Sequence, residues 1–527
     1  MLCLALSGCD TNQKSSLSAK SIIYCSEGSP EGFNPQTVTS GVTIDATSKQ
    51  LYNQLINFET DDKNISPSLA KSWHVTRDGK KITFYLRKKV SFHQTAYFTP
   101  TREFNADDVL FSFNRIIDKN HPFHNVSGAE YPFFQSVGFS KLIKSIEKIN
   151  DHTVRFILTR ADNSLLVNLA TDFSIILSQE YGQQLIKQDS ISLIDSQPIG
   201  TGPFKLKEYR AGSLIRYVPH STYWNDVSTL EQLIFDITPS NTGRLTKLLA
   251  GECDVAAYPI ARNKIKERSD LSIDNVTALN VGFLAFNTQV PPFDNKMVRK
   301  AVAHAIDKKA ILKTVYYGDS EAEAASTIIP NTSWAYDKSI KTPDYSIEKA
   351  KILLEQAGYA NGFDMELWAM PVQRAYNPDA VTMAKLIQAD LAKVNIKVNI
   401  IKNYEWTTFL KLVSQGLHQS VLLGWSADHP DPDNFFTPLL SCASAKTGNN
   451  RAFWCNTDFD KVIFEALQTT NIIQRKKYYT KALKIINEDL PLLPIAHAKR
   501  FQARSNKVEG VLLNAYGGIN FHRVVKQ

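Results

Sequence analysis

Arg374 and Asp428 are the two side chains in this sequence whose chemistry is most plainly complementary to a small ligand. A guanidinium presents a fork of donors that fits a carboxylate, and a carboxylate accepts from an ammonium, so together they suit the two ends of a zwitterionic peptide backbone. Each follows a segment that alternates like a strand. Phe363 to Met370 runs into Pro371-Val372-Gln373-Arg374-Ala375-Tyr376-Asn377-Pro378, and Ser420 to Trp425 runs into Ser426-Ala427-Asp428-His429-Pro430-Asp431-Pro432-Asp433-Asn434-Phe435-Phe436. If the two strands are parallel members of one sheet, both loops open at the carboxyl edge, where α/β sheets hold ligands. Tyr376, Trp406 and Trp425 would supply apolar walls tolerant of varied side chains, and Ser40 and Gly41 complete the expected ligand contacts. The competing reading is that Arg374 and Asp428 pair with each other or cap local turns, and that the aromatics are core.

Other chemistry is poorly represented. Asp428, Asp431 and Asp433 lack the glycine turn and the later glutamate of a calcium loop, so no metal is expected there. Gly200-Thr201-Gly202-Pro203 has no following Gly-Lys-Ser or Gly-Lys-Thr, and Pro203 removes an amide donor, which makes it a structural turn. There is no Gly-x-Ser-x-Gly elbow and no His-Glu-x-x-His, and the eleven histidines are scattered. The expectation is a binding protein without cofactor; a peptidase whose residues converge only in space is the alternative.

The elements that must position these residues follow from periodicity. The first half reads as sheet-rich: a strand from Ser21 to Tyr24, a hairpin across Ser72 to Leu86 turning at Asp78-Gly79, and strands Phe204 to Tyr209 and Leu214 to Val218 turning at Ala211-Gly212. Between them Asn105 caps a helix carrying Val109, Phe113 and Ile116, with Asp108 in the capping-box place. The second half predicts helices over Asp294 to His304, Asp307 to Tyr317 and Ser346 to Ala357. Strand Phe363 to Met370, helix Ala380 to Lys393 and strand Ile396 to Ile401 then form a βαβ unit, followed by a helix near Trp406 to Val413. The region from about Val281 to His497 is thus expected to be an α/β lobe.

Met1 to Gly8 is apolar and small and runs into Leu6-Ser7-Gly8-Cys9, the pattern of a bacterial lipoprotein cleavage site in which the Cys9 thiol carries the lipid; an ordinary secretory signal is the alternative. Asp10 to Lys20 reads as a polar tether. Of six cysteines, Cys25, Cys253, Cys442 and Cys455 remain after Cys3 and Cys9, an even set with three possible pairings. Cys442 and Cys455 flank a short polar loop and bridge easily, which leaves Cys25 with Cys253; four unpaired thiols of a cytosolic protein are the other possibility. The 527 residues are 43% hydrophobic and 21% charged, enough for two or three lobes. A net charge of +8 with no long basic run argues against nucleic acid. No run is apolar for long enough to span a membrane, so the body is expected in water.

Several motifs taken together resemble a known family. Tyr24-Cys25-Ser26-Glu27-Gly28-Ser29-Pro30-Glu31-Gly32-Phe33-Asn34-Pro35, Phe84-Tyr85-Leu86-Arg87, Phe104-Asn105-Ala106-Asp107-Asp108-Val109, Gly200-Thr201-Gly202-Pro203-Phe204 and Asp431-Pro432-Asp433-Asn434-Phe435-Phe436 are similar to those of the periplasmic solute-binding proteins of peptide ABC transporters, family 5. The resemblance runs from Ile22 onward. Gly243-Arg244-Leu245-Thr246-Lys247-Leu248-Leu249 and Ser333-Trp334-Ala335-Tyr336-Asp337 look like the Sap branch, linked to antimicrobial-peptide resistance. Leu367-Trp368-Ala369-Met370-Pro371-Val372-Gln373-Arg374 looks like the dipeptide and haem-binding branch. There the arginine matching Arg374 holds the peptide carboxylate and the aspartate matching Asp428 holds the amino end.

The resemblance implies a two-lobed α/β protein, a type II periplasmic binding fold with an extra subdomain in the first lobe and two crossover strands. It places the signal and tether in residues 1–20, lobe one at 21–280 with the subdomain at about 66–190, lobe two at 281–498, and a C-terminal return at 499–527. It also implies the bridges Cys25 to Cys253 and Cys442 to Cys455, a periplasmic monomer, a peptide ligand, and delivery to an inner-membrane permease with ATPase subunits. Haem or glutathione is the alternative cargo.

Overall fold

The computed structural model describes residues 20–58, 64–128, 131–318, 320–447, 449–510 and 513–527. Cys9, the expected lipid-bearing thiol, lies outside the described residues together with Cys3. No helix among the described residues is long and apolar enough to cross a membrane.

The molecule is a mixed α/β fold built on a 12-stranded sheet. From one edge the strands run Lys397–Ile401, Asp364–Ala369, Ser420–Ser426, Asn280–Phe286, Leu492–Ser505, Val255–Ala257, Ser21–Ser26, Gln232–Ile237, Leu214–Pro219 and Phe204–Arg210. Strands Leu271–Thr277 and Ala322–Ala324 also pair with Leu492–Ser505. Two large apolar cores flank this sheet. One gathers residues from Ile22 to Ala257 and then Val508 to Val524, and the other gathers residues from Leu279 to Ala498. Strand Leu492–Ser505 links them: its first half pairs with Asn280–Phe286 and its second half with Val255–Ala257 and Leu271–Thr277. Every residue of Asn280–Phe286 is buried, as a strand covered on both faces requires.

The second core follows its sequence pattern closely. Helix Ala380–Ala392 buries Met383, Ala384, Ile387 and Leu391, one face of a 3.6-residue repeat, and Asp379 caps it by accepting from the Thr382 amide. It crosses over between Asp364–Ala369 and Lys397–Ile401, which pair in parallel. Helices Lys296–Ala305, Lys308–Val315 and Ile347–Gln356 lie where the periodicity predicts.

In the first core Asn105 and Asp108 form the full capping box of helix Ala106–Ile117. The region between this helix and Gln188 contains a feature that periodicity did not resolve: Ile143–Asn150 and Thr153–Leu158 join the hairpin Ala70–Val75 and Lys81–Leu86 in a separate four-stranded antiparallel sheet. The Gly200-Thr201-Gly202 turn is held by a histidine pair. His93 Nδ1 accepts from the Gly200 amide at 3.3 Å, so its Nε2 donates to the Gly202 carbonyl at 3.0 Å, while His220 Nδ1 meets the same carbonyl at 3.1 Å. Burial keeps both rings neutral, driving His93 well below the usual range and His220 to about 4.

Cys25 is joined to Cys253, and Cys442 to Cys455. The second bridge closes a loop between residues 13 apart in sequence. Loop-closure entropy for that length is worth roughly 3 kcal/mol. Replacing both Cys442 and Cys455 by serine should therefore lower unfolding stability by about that amount in denaturant titration, and a change under about 0.5 kcal/mol would show that the bridge constrains nothing.

Candidate functional site

Between the two cores lies a cavity with about 1200 Å³ of empty space. Its wall includes Arg374, Asp428, Tyr376, Trp406, Trp425 and Gly41, so six of the expected ligand contacts converge on one cavity. Ser40 is not in that wall; its neighbours Thr39 and Gly41 are. Ser40 instead stands ahead of helix Gly41–Leu51, its carbonyl accepting from the Ile44 amide at 3.0 Å.

Strand geometry explains the convergence. Asp364–Ala369 and Ser420–Ser426 pair in parallel, Leu367 opposite Ser420 and Ala369 opposite Leu422, so the loops that follow them leave the sheet at the same edge. The first loop is drawn tight by reciprocal backbone bonds between Arg374 and Asn377, both 3.1 Å. It is anchored from below by the Tyr316 hydroxyl, which donates to the Tyr376 carbonyl at 2.6 Å. Gly282 and Gly424 face each other across adjacent strands. A Cβ at Gly282 would lie 2.1 Å from the Tyr376 carbonyl oxygen, and one at Gly424 would lie 2.2 Å from its ring, so this pair of glycines is what lets Tyr376 lie on the sheet.

Arg374 does not pair with Asp428. Its Nη1 donates to Glu27 Oε1 at 3.0 Å and to the Gln373 carbonyl at 2.9 Å, and its guanidinium stands 5.6 Å from the Tyr258 ring and 5.5 Å from the Trp406 ring. Nη2 is buried and has no hydrogen-bond partner, as is the Nε1 of Trp406. Burial opposes the charge of Arg374, but Tyr258 and Glu27 outweigh it and hold the pKa above that of a free arginine.

Among the described residues Asp428 meets no cation. Asn434 organises it: Asn434 Oδ1 accepts from the Asp428 amide at 3.0 Å and from Trp425 Nε1 at 2.8 Å, while Asn434 Nδ2 donates to Asp428 Oδ2 at 3.3 Å. Enclosure raises the Asp428 carboxyl to about 7; the Asn434 bond opposes the rise and the charge of Asp172 adds to it. The other aspartates of this loop have structural partners, Asp431 pairing with Arg475 at 3.0 Å and Asp433 accepting from the Thr437 hydroxyl at 2.6 Å.

Several wall residues carried no local signal. Asp45 sits on helix Gly41–Leu51, is raised by burial to about 7, and lies 3.9 Å from Arg500, itself on the strand shared by both cores. Arg451 also lines the cavity, and burial brings it down to about 10. Further bonds tie the two cores around the cavity: Asn168 to His429 at 3.1 Å, Asn449 to the Pro132 carbonyl at 3.2 Å, and Arg262 to Glu321. The arrangement can grip an anion at Arg374 and a cation at Asp428 within one cavity. Among the described residues, its wall shows no nucleophile hydrogen-bonded to a base.

Comparison with known proteins gives a consistent set of relatives. The family model described as bacterial extracellular solute-binding proteins, family 5 Middle, matches residues 64–447. The chain is 43% identical to the dipeptide-binding protein of Escherichia coli K12, covering 99% of this chain and 98% of that protein. It is 42% identical to heme-binding protein A of Haemophilus influenzae, covering 98% and 93%. The peptide transport periplasmic protein SapA of Salmonella typhimurium is 40% identical, covering 96% and 92%. Among solved structures, a dipeptide-binding protein from Pseudoalteromonas sp. SM9913 in complex with Met-Leu superposes with a TM-score of 0.93 at 48% identity, covering 96% of this chain and all of that one.

The glycine seat of Tyr376 gives a test of the site's construction. Gly424→Ala should push Tyr376 off the sheet and cost about 2–4 kcal/mol of stability, measured by denaturant unfolding. Wild-type stability in that variant would mean that Tyr376 has room to spare.

Proposed function

The chain belongs to the bacterial extracellular solute-binding proteins of family 5, and on that premise we propose that it captures short peptides between its two lobes and hands them to an inner-membrane ABC permease driven by ATPase subunits. One observation carries the reading: Arg374 and Asp428 leave neighbouring parallel strands at the same edge and line a single cavity. Arg374 receives the peptide carboxylate on Nη2, the donor that no protein atom satisfies. Asp428 receives the ammonium. Each such charge-assisted contact is worth roughly 1.5–3 kcal/mol. Tyr376, Trp406, Trp425 and Gly41 shape the space between, without a polar pattern demanding one side chain. Closure of the lobes removes water and strengthens both contacts, and opening releases the cargo.

The protein acts as a periplasmic monomer without catalysis of its own, tethered to a membrane through Cys9 where the leader is processed as a lipoprotein. Lobe one comprises residues 21–280 with the subdomain at about 66–190 and the return at 499–527, and lobe two residues 281–498. A second reading keeps the fold and changes the cargo to haem, favoured by the haem-binding relative and by Tyr258, Tyr376 and Tyr516 along the cavity. A Soret band on mixing with haemin would support it.

Two measurements test the peptide reading. In calorimetric titration, Arg374→Ala should weaken a free-acid dipeptide by about 10- to 100-fold and its C-terminal amide far less; equal losses would remove the carboxylate from Arg374. The second is a pH profile. Because burial raises the Asp428 carboxyl to about 7, it is ionised above that pH and neutral below, and only the ionised form pairs with an ammonium. Affinity for a free-amine dipeptide should therefore fall by up to about tenfold per pH unit below 7, less steeply for the N-acetylated peptide. Asp428→Asn should flatten the difference between the two ligands, and identical profiles in wild type and variant would sink the assignment.

A further inference from the structure

Outside the main cavity, on the far side of Arg374, lies a second recess with about 570 Å³ of empty space, lined by Glu27, Pro239, Asn241, Thr242 and the loop Pro371-Val372-Gln373. The inner cavity has Arg374 in its wall but not Glu27, and the outer recess has Glu27 but not Arg374. The two linings are joined through the ion pair between these residues, whose side chains are only 7% and 4% exposed. Glu27 follows strand Ser21–Ser26 of the first core, and Arg374 belongs to a loop of the second, so this join exists only while the cores are together.

The bonding of Arg374 is uneven. Glu27 and the Gln373 carbonyl occupy Nη1, whereas Nη2 is buried and left without a protein acceptor. The other oxygen of Glu27, Oε2, is likewise buried without a donor. We propose that Glu27 determines ligand length: by occupying one edge of Arg374 it closes the carboxylate end of the cavity and favours dipeptides over longer peptides. A ligand extending past Arg374 has to separate a buried pair of opposite charges and bring its own carboxylate beside that of Glu27. One ending at Nη2 disturbs neither. The proposal rests on the peptide-capture reading and adds a specificity-determining residue to it.

Titration of wild type, Glu27→Ala and Glu27→Gln with a dipeptide and with the tri- and tetrapeptides that extend it at the carboxyl end tests the idea. Wild type should prefer the dipeptide. The preference over the tetrapeptide should fall by about fivefold or more in Glu27→Ala, and by a smaller factor in the isosteric Glu27→Gln, which keeps an acceptor for Nη1. A dipeptide preference that survives unchanged in both variants overturns the length stop and leaves peptide capture standing. Equal weakening of all three peptides also overturns it, since a merely structural Glu27 would affect every ligand alike. Wild-type protein that prefers the tetrapeptide refutes the stop directly, and wild-type protein that binds none of them refutes the capture reading as well.

Discussion

The constraint on which this structure turns is the difficulty of keeping charge out of water without a partner. The cavity wall includes several ionisable groups, and they are satisfied unequally. Arg374 has Glu27 on one edge only, Arg500 reaches Asp45 at a distance of 3.9 Å, and Asp428 has an amide from Asn434 in place of a cation. That inequality has a direction. It leaves a positive edge at one place and an acidic group at another, and a zwitterion answers both demands at once, while an apolar ligand answers neither.

Most of the second core was legible in the sequence, because its elements obey a single period over long stretches. The βαβ unit around Ala380–Ala392 and the strand ending at Ser426 could be placed from alternation and caps alone, and from them the shared edge of Arg374 and Asp428 followed. That the two side chains would not bond one another was not legible. It depends on Glu27, 347 residues away, arriving from the other core, and no local pattern marks a glutamate after a strand as the partner of a distant arginine. Asp45, Arg500 and Tyr258 escaped for the same reason. Ser40 lies outside the cavity wall although its neighbours Thr39 and Gly41 are in it, because successive residues at a helix start turn in different directions.

In the first core, strand Ile143–Asn150 went unresolved because Lys144, Glu147 and Lys148 interrupt its apolar positions, and its surface-facing end imposes no alternation. Its partner Thr153–Leu158 alternates cleanly, but a strand is recognised by what it pairs with, and the pairing is tertiary. The Gly282 and Gly424 pair shows the converse case. Each looks like a weak point in a strand, yet their register makes a shallow seat for one tyrosine ring, visible only once the two strands are set side by side.

The shared strand Leu492–Ser505 also bears on how the molecule comes into being. Ile22 and Val524 lie in one core, and the other needs Leu492 to Ala498. Neither core can be completed until nearly the whole chain has been made, so both halves of the molecule wait on the same late segment.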